Sequence, residues 1–180
     1  MGSMTMIFRQ HTVCFLTIQK IITIQTNQVI NMELERFSYD NRLPKYFAYA
    51  TILWGVVGML AGVLIAFQLA FPVLNLDMAA TTFGRVRPVH TNAVIFAFVG
   101  NGIFTAIYYS LPRLLKTKMF SKVLGNIHFW GWQLIIVAAA VTLLAGYTTG
   151  KEYAELEWPI DIAITLVWVV FGINMFGTIL

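Results

Sequence analysis

Length, composition and charge exclude most classes of soluble protein. The chain has 180 residues, 58% of them hydrophobic and 11% charged, with a mean hydropathy of +0.74, whereas soluble domains carry about 25% charged residues. The formal net charge of +4 comes from basic residues dispersed between apolar runs. That pattern is typical of membrane topology signals and does not indicate nucleic-acid binding. The single cysteine, Cys14, excludes a disulfide within the chain and a cysteine-based metal cluster.

Residues 1–31 differ in composition from everything that follows. They are rich in Thr, Gln and Ile, and residues such as Arg9 and Lys20 interrupt their apolar runs. No run is long enough for a membrane span or for the apolar segment of a signal peptide. We therefore expect an extension that is disordered or not native to the fold, with the folded part of the chain lying within residues 32–180.

From Tyr46 onward the sequence predicts four membrane spans. Crossing a hydrocarbon core about 30 Å thick takes about 20 mostly apolar residues, and a charge at its centre costs about 2.5–3.5 kcal/mol. Four stretches of this length have no charged residue at their centre, namely Tyr46–Phe71, Val89–Leu111, Ile127–Tyr147 and Pro159–Leu180. The predicted fold is an all-α, polytopic bundle of transmembrane helices. Four buried helices of a soluble domain are the alternative, but too little polar sequence remains to cover them.

The distribution of Lys and Arg orients the predicted bundle. Outside residues 1–31, seven of these residues lie before the first span or between the second and third, against three in the two opposite loops. Because basic loops stay in the cytoplasm, we expect the N-terminus and the second loop on that side. No basic or polar anchor follows the fourth span, so we expect a chain truncated at that helix.

His90 is the best candidate for a functional side chain. It lies in GRVRPVHTNAVIFAF, near the outer end of the second span, with Pro88 expected in the first helical turn. Ionisable or ligating residues inside a span are functional candidates by default. On a regular α-helix Ala97 and Asn101 lie within about 20° of His90. A face of small residues beneath an imidazole leaves room for haem, and close helix packing is the alternative.

Two arginines favour the haem interpretation. Arg85 and Arg87 lie just outside the predicted helix, where the propionates of a haem held by His90 would meet them. Guanidinium and carboxylate groups are well matched in geometry. Both arginines are therefore candidate ligands of haem propionates.

The remaining candidates are weaker. The acids of the loop GKEYAELEWPID form either a solvated face or a site for a hard cation such as calcium. His128 is expected to be an interface residue in an aromatic belt, and His11 supports no argument. Gly58 and Gly62 form a GxxxG motif, which indicates a helix contact more than a cofactor wall.

Three segments together carry a family resemblance. FGRVRPVHTNAVIFAFVGN, HFWGWQLIIVAAAVTL and KEYAELEWPIDI resemble, in that order, the catalytic subunit I of cbb(3)-type cytochrome c oxidases, from about residue 39 to the end. The segment RPVHTN is shared in outline with bacterial nitric oxide reductases, and the KEYAELEWP loop favours the oxidase.

The resemblance implies a role for several residues. His90 would be one axial ligand of low-spin haem b, Arg87 and more weakly Arg85 would contact its propionates, and Glu152 would help to bind calcium. No catalytic residue is expected within these four helices, because the high-spin haem, the copper ligands and the second ligand of haem b belong to later helices. The four helices alone are therefore not expected to reduce oxygen.

The resemblance also implies a cellular location, partners and an activity for the full-length subunit. We expect a multi-pass protein of the bacterial plasma membrane, in contact with lipid, with the remaining helices of subunit I and with c-type cytochrome subunits. The full-length subunit would oxidise cytochrome c, reduce oxygen to water and pump protons. A nitric oxide reductase subunit and a non-catalytic protein whose helices only pack partners remain the alternatives.

Overall fold

The computed structural model describes residues 19–20, 38–151 and 154–180. The chain divides into two units, Met1–Ser38 and Tyr39–Leu180. In the first unit only Gln19 and Lys20, which are helical, and Ser38 are described. The expected extension over residues 1–31 therefore lies almost wholly outside the described residues and stays a prediction.

The second unit consists of four long helices joined by short loops. They are α1 (Arg42–Ala70), α2 (Phe83–Leu114), α3 (Lys122–Ala145) and α4 (Trp158–Ile179). Two 3₁₀ turns, Pro72–Asn75 and Ala79–Thr81, connect α1 to α2. Each of the four helices is long and apolar enough to cross a membrane. The predicted all-α bundle with four spans is confirmed, while its orientation in the membrane stays a prediction.

Local sequence signals explain most of the helix ends. The Ser121 hydroxyl accepts a hydrogen bond from the Leu124 N–H and so caps α3. The same helix ends at Gly146, whose φ of +93° is in the left-handed region that glycine adopts without a Cβ clash. Pro159 lies in the first turn of α4, where its missing N–H has no cost.

The start of α2 differs from the expectation. The helix begins at Phe83, so Pro88 lies in its second turn and not in its first. The Phe83 N–H is already satisfied by the Asn75 side chain, which extends the helix backwards past the proline. A proline ring at this position crowds the carbonyl four residues earlier, here that of the exposed Gly84.

The middle of α2 is a π-helix over Ala93–Gly100. A π turn closes on i→i+5 hydrogen bonds and so holds about one residue more than an α turn. The line that joins His90, Ala97 and Asn101 on a regular helix is therefore broken. Ala97 and Asn101 are 1% and 0% exposed in the interior, whereas His90 is only half-buried.

An aromatic cluster fills the interior between the helices. It joins apolar side chains from all four of them, among them Phe47, Phe104, Trp132 and Phe171. The Phe104 ring meets the Trp132 and Phe171 rings edge to face, with centroids 5.2 and 5.1 Å apart. Such pairs add about 0.5–1.5 kcal/mol each beyond the area they bury.

A hydrogen-bonded chain of side chains ties α1, α3 and α2 together. The Trp54 indole N–H donates to Gln133 Oε1 at 2.8 Å, and Gln133 Nε2 donates to Asn101 Oδ1 at 2.8 Å. Asn101 Nδ2 in turn donates to the Ala97 carbonyl, inside the π segment. Each of these three residues thereby satisfies polar atoms that the apolar interior would otherwise leave unpaired.

Much of the apolar surface points outwards. Only 11% of the most apolar segment of α1 is buried, and 39% of that of α3. Exposed side chains such as Leu134 and Val63 are 70% and 52% accessible. In water an apolar patch of this extent is unfavourable, so lipid or further protein must cover it.

Replacing Gln133 by Leu tests the hydrogen-bonded chain. The change leaves Trp54 Nε1 and Asn101 Oδ1 without their partner, and we expect it to lower the free energy of unfolding by about 1–2 kcal/mol. Leu134→Ala, on the outward face of the same helix, is the matched control and should change it by less than about 0.5 kcal/mol. Thermal unfolding in detergent measures both, and equal losses would contradict the assigned role of the chain.

Candidate functional site

The His90 imidazole is held by the backbone of α1. Its Nδ1 lies 2.7 Å from the carbonyl oxygen of Gly58. A carbonyl can only accept, so Nδ1 must be the nitrogen that carries the proton. In the neutral ring Nε2 then keeps its lone pair, and no hydrogen bond joins Nε2 to a described residue. This is the tautomer that ligates a metal through Nε2.

The imidazole also lies directly on Gly62. A Cβ built on Gly62 would be 2.6 Å from His90 Cε1 and 3.2 Å from Nε2. The GxxxG motif is thus a helix contact, as expected, and the group that it contacts is the imidazole of the candidate ligand. Gly58 is buried and meets Ala93 and Val94 of α2.

The small residues farther along α2 pack helices together. A Cβ on Gly100 would be 3.1 Å from the Trp132 ring of α3, and Ala97 belongs to the aromatic cluster. Their close approach to α3 corresponds to the packing alternative. On a regular helix these small residues would leave room for a macrocycle. In the described part of the chain, side chains of α1 and α3 occupy that space.

Arg85 and Arg87 lie on α2 before His90 and have different surroundings. Arg85 Nη1 donates to the Leu144 carbonyl at 3.1 Å and lies against Gly146. A cation there also opposes the negative end of the dipole of α3. Arg87 is exposed and precedes His90 by three residues, a spacing that places two side chains side by side on a helix.

The acidic loop after α3 contributes a residue that the sequence analysis did not single out. Glu155 is 8% exposed, and its carboxylate accepts a hydrogen bond from Asn92 Nδ2 at 3.4 Å. The sequence feature that could have identified Glu155 was its position in the KEYAELEWP segment. Glu152, the expected calcium ligand, lies outside the described residues. Among the residues that are described, no three His, Cys, Asp or Glu side chains form a metal site.

The interpretation of His128 as an interface residue is wrong. The side chain is 0% exposed and lies in the aromatic cluster, with Phe104 edge to face at 4.4 Å between centroids. Its Nδ1 is 3.0 Å from the Tyr108 hydroxyl. The expectation failed because the neighbouring HFWGW sequence has the composition both of an interface belt and of an aromatic interior.

The arrangement fits a haem iron on one side. In its neutral form, His90 would offer Nε2 as one ligand of a haem iron, on a ring that the Gly58 carbonyl orients. Of the other histidines, His128 is enclosed by aromatic rings, and His11 lies outside the described residues. The described residues could therefore supply one imidazole ligand to an iron, and they contain no second accessible histidine that could supply another.

Comparison with known proteins is consistent with this chemistry. Residues 42–180 match the family model of cytochrome c and quinol oxidase polypeptide I. The cbb3-type cytochrome c oxidase subunit CcoN1 of Stutzerimonas stutzeri is 54% identical over 79% of the chain and 30% of its own length. Cytochrome c oxidase subunit 1 of Rhodobacter capsulatus is 52% identical over 72% of the chain and 25% of its own length.

A third relative extends the comparison. A cytochrome c oxidase subunit 1 homologue of Agrobacterium tumefaciens is 47% identical over 81% of the chain and 27% of its own length. The chain thus spans less than a third of each of these curated relatives. The resemblance to cbb(3)-type subunit I that the motifs indicated is confirmed, and the chain belongs to the cytochrome c and quinol oxidase polypeptide I family.

Proposed function

We propose that the chain forms the N-terminal part of the catalytic subunit of a cbb(3)-type terminal oxidase, and that His90 is one axial ligand of its low-spin haem b. The observation that carries the proposal is the hydrogen bond from His90 Nδ1 to the Gly58 carbonyl. It fixes the tautomer and orients the ring, as such bonds do for metal-ligating histidines.

The complete subunit would oxidise cytochrome c, reduce oxygen to water and pump protons. When bound, haem b supplies reversible one-electron transfer. The residues of this chain bind the haem on one side, orient the ligand and place Arg87 and Arg85 beside it. The second axial ligand, the high-spin haem and the copper ligands belong, in this proposal, to the rest of subunit I.

The relatives favour an oxidase over a nitric oxide reductase, because the three compared above carry oxidase names. The outward apolar surface of α1 and α4 supports burial against lipid, further subunit I helices and c-type cytochrome subunits in the bacterial plasma membrane. A calcium ion at Glu152 is proposed from the family resemblance alone.

His90→Ala in the full-length subunit tests the ligand assignment. We expect the low-spin haem b band to disappear from reduced-minus-oxidised spectra of membranes, because the iron loses an axial ligand. His128→Phe is the matched control, since it removes the other described histidine and keeps an aromatic ring in the cluster. It should leave the band intact.

Immunoblotting of both variants checks that they accumulate, so that loss of the protein is not mistaken for loss of the haem. An unchanged haem b band in His90→Ala would defeat the assignment and leave a packing role for His90.

Arg87→Gln tests the propionate assignment. A positive charge near the haem stabilises the reduced form, so its removal should lower the midpoint potential of haem b by tens of millivolts, where about 59 mV is a tenfold change for a one-electron couple. Redox titration of the haem b band measures the shift. Lys116→Gln, in the loop at the other end of α2, is the control, and a potential that falls equally in both variants would exclude a specific contact.

A further inference from the structure

We infer that Gly58 and Gly62, the glycine pair of α1, position the imidazole of His90, and that Gly62 is required because any side chain there displaces the ligand. The inference rests on the proposed function of His90. It assigns to α1 a part in positioning the proposed ligand, through the contacts of Gly58 and Gly62 with the imidazole.

The contact at Gly62 is the first argument. A Cβ there would be 2.6 Å from His90 Cε1, 3.0 Å from Nδ1 and 3.2 Å from Nε2. Non-bonded carbon atoms are most stable about 3.5–4.0 Å apart. The methyl group of an alanine at position 62 would therefore clash with three atoms of the imidazole ring. Because an imidazole ring is rigid, alanine at position 62 must move the whole ring.

Gly58 provides the contrast within the same motif. A Cβ at Gly58 would have its nearest atoms 3.4 Å away on Val94 and 3.5 Å away on Ala93, which is ordinary van der Waals contact. The requirement for glycine at position 62 is therefore specific to the imidazole and does not follow from the closeness of α1 and α2 alone.

The Gly58 carbonyl is the second argument. In a helix this oxygen already accepts the N–H of residue 62 through one lone pair, and His90 Nδ1 takes the other at 2.7 Å. A hydrogen bond at Nδ1 raises the basicity of the ligating nitrogen. Displacing the ring from Gly62 lengthens this bond, so one substitution disturbs both ring position and ligand strength.

The experiment compares Gly62→Ala with Gly102→Ala in the full-length subunit. We expect Gly62→Ala to weaken haem b retention by about tenfold or more, the range for lost supporting contacts of metal ligands. In the haem that remains, the g values of the low-spin ferric signal should shift and the midpoint potential should rise. A Cβ on Gly102 would lie 3.7 Å from Thr51 Cγ2 of α1, an ordinary contact between the same two helices, so Gly102→Ala should match the unsubstituted protein in all three readouts.

A double variant keeps the inference testable if Gly62→Ala fails to accumulate. In Gly62→Ala/His90→Ala the ring is absent, so alanine at position 62 has nothing to displace, and the protein should accumulate as His90→Ala does. If Gly62→Ala fails to accumulate and the double variant recovers, the contact between positions 62 and 90 is the cause and the inference holds. If neither accumulates, the alanine disrupts another contact and the inference is overturned.

Two further outcomes separate this inference from the proposed function. Loss of haem b in His90→Ala together with unchanged retention, g values and potential in Gly62→Ala would overturn the role of the glycine pair and leave His90 as the ligand. An unchanged haem b spectrum in His90→Ala would overturn both.

Discussion

The interior of a membrane contains almost no water, so every polar group inside these helices needs a partner within the protein. The described structure meets this requirement for many of its buried polar groups through a few connected side chains. Gln68 Oε1, His128 Nε2, Trp132 Nε1 and Asn174 Nδ2 are buried without a hydrogen-bond partner among the described residues. Gln133 joins Trp54 to Asn101 across three helices, and the Asn174 side chain accepts from the Ser121 N–H where α3 begins. These bonds determine which faces of the helices meet, since an apolar face alone has no preferred partner in lipid.

The same constraint gives two histidines opposite roles. His128 bonds a tyrosine hydroxyl and is enclosed by rings, so nothing can approach it. His90 lies at a half-buried position and bonds a backbone carbonyl through one nitrogen. The two histidines differ in their hydrogen-bond partners and not in their chemistry. Imidazole has two nitrogens, and its surroundings decide which of them forms a hydrogen bond.

The sequence predicted those features that depend on local composition. Long stretches without a central charge located all four helices, and an ionisable residue inside a span marked His90. The features that it missed depend on contacts between helices. The segment AVIFAFVG has the composition of any apolar helix, so nothing in it signals π geometry. The partner of His90 is a main-chain oxygen on another helix, which no side-chain motif encodes.

The π segment also has a consequence for how α2 tolerates change. On a regular helix His90 and Asn101 would lie on nearly the same side, yet one contacts Gly62 and the other bonds Gln133. Both contacts form together because the wide π turns between His90 and Asn101 change the angle between their side chains around the helix axis. Deleting one residue from this segment would shorten the helix by only about 1.5 Å but would rotate one half against the other by about 100°. Conservative apolar substitutions there leave that angle unchanged, so it is the number of residues in the segment that keeps His90 and the interior in register.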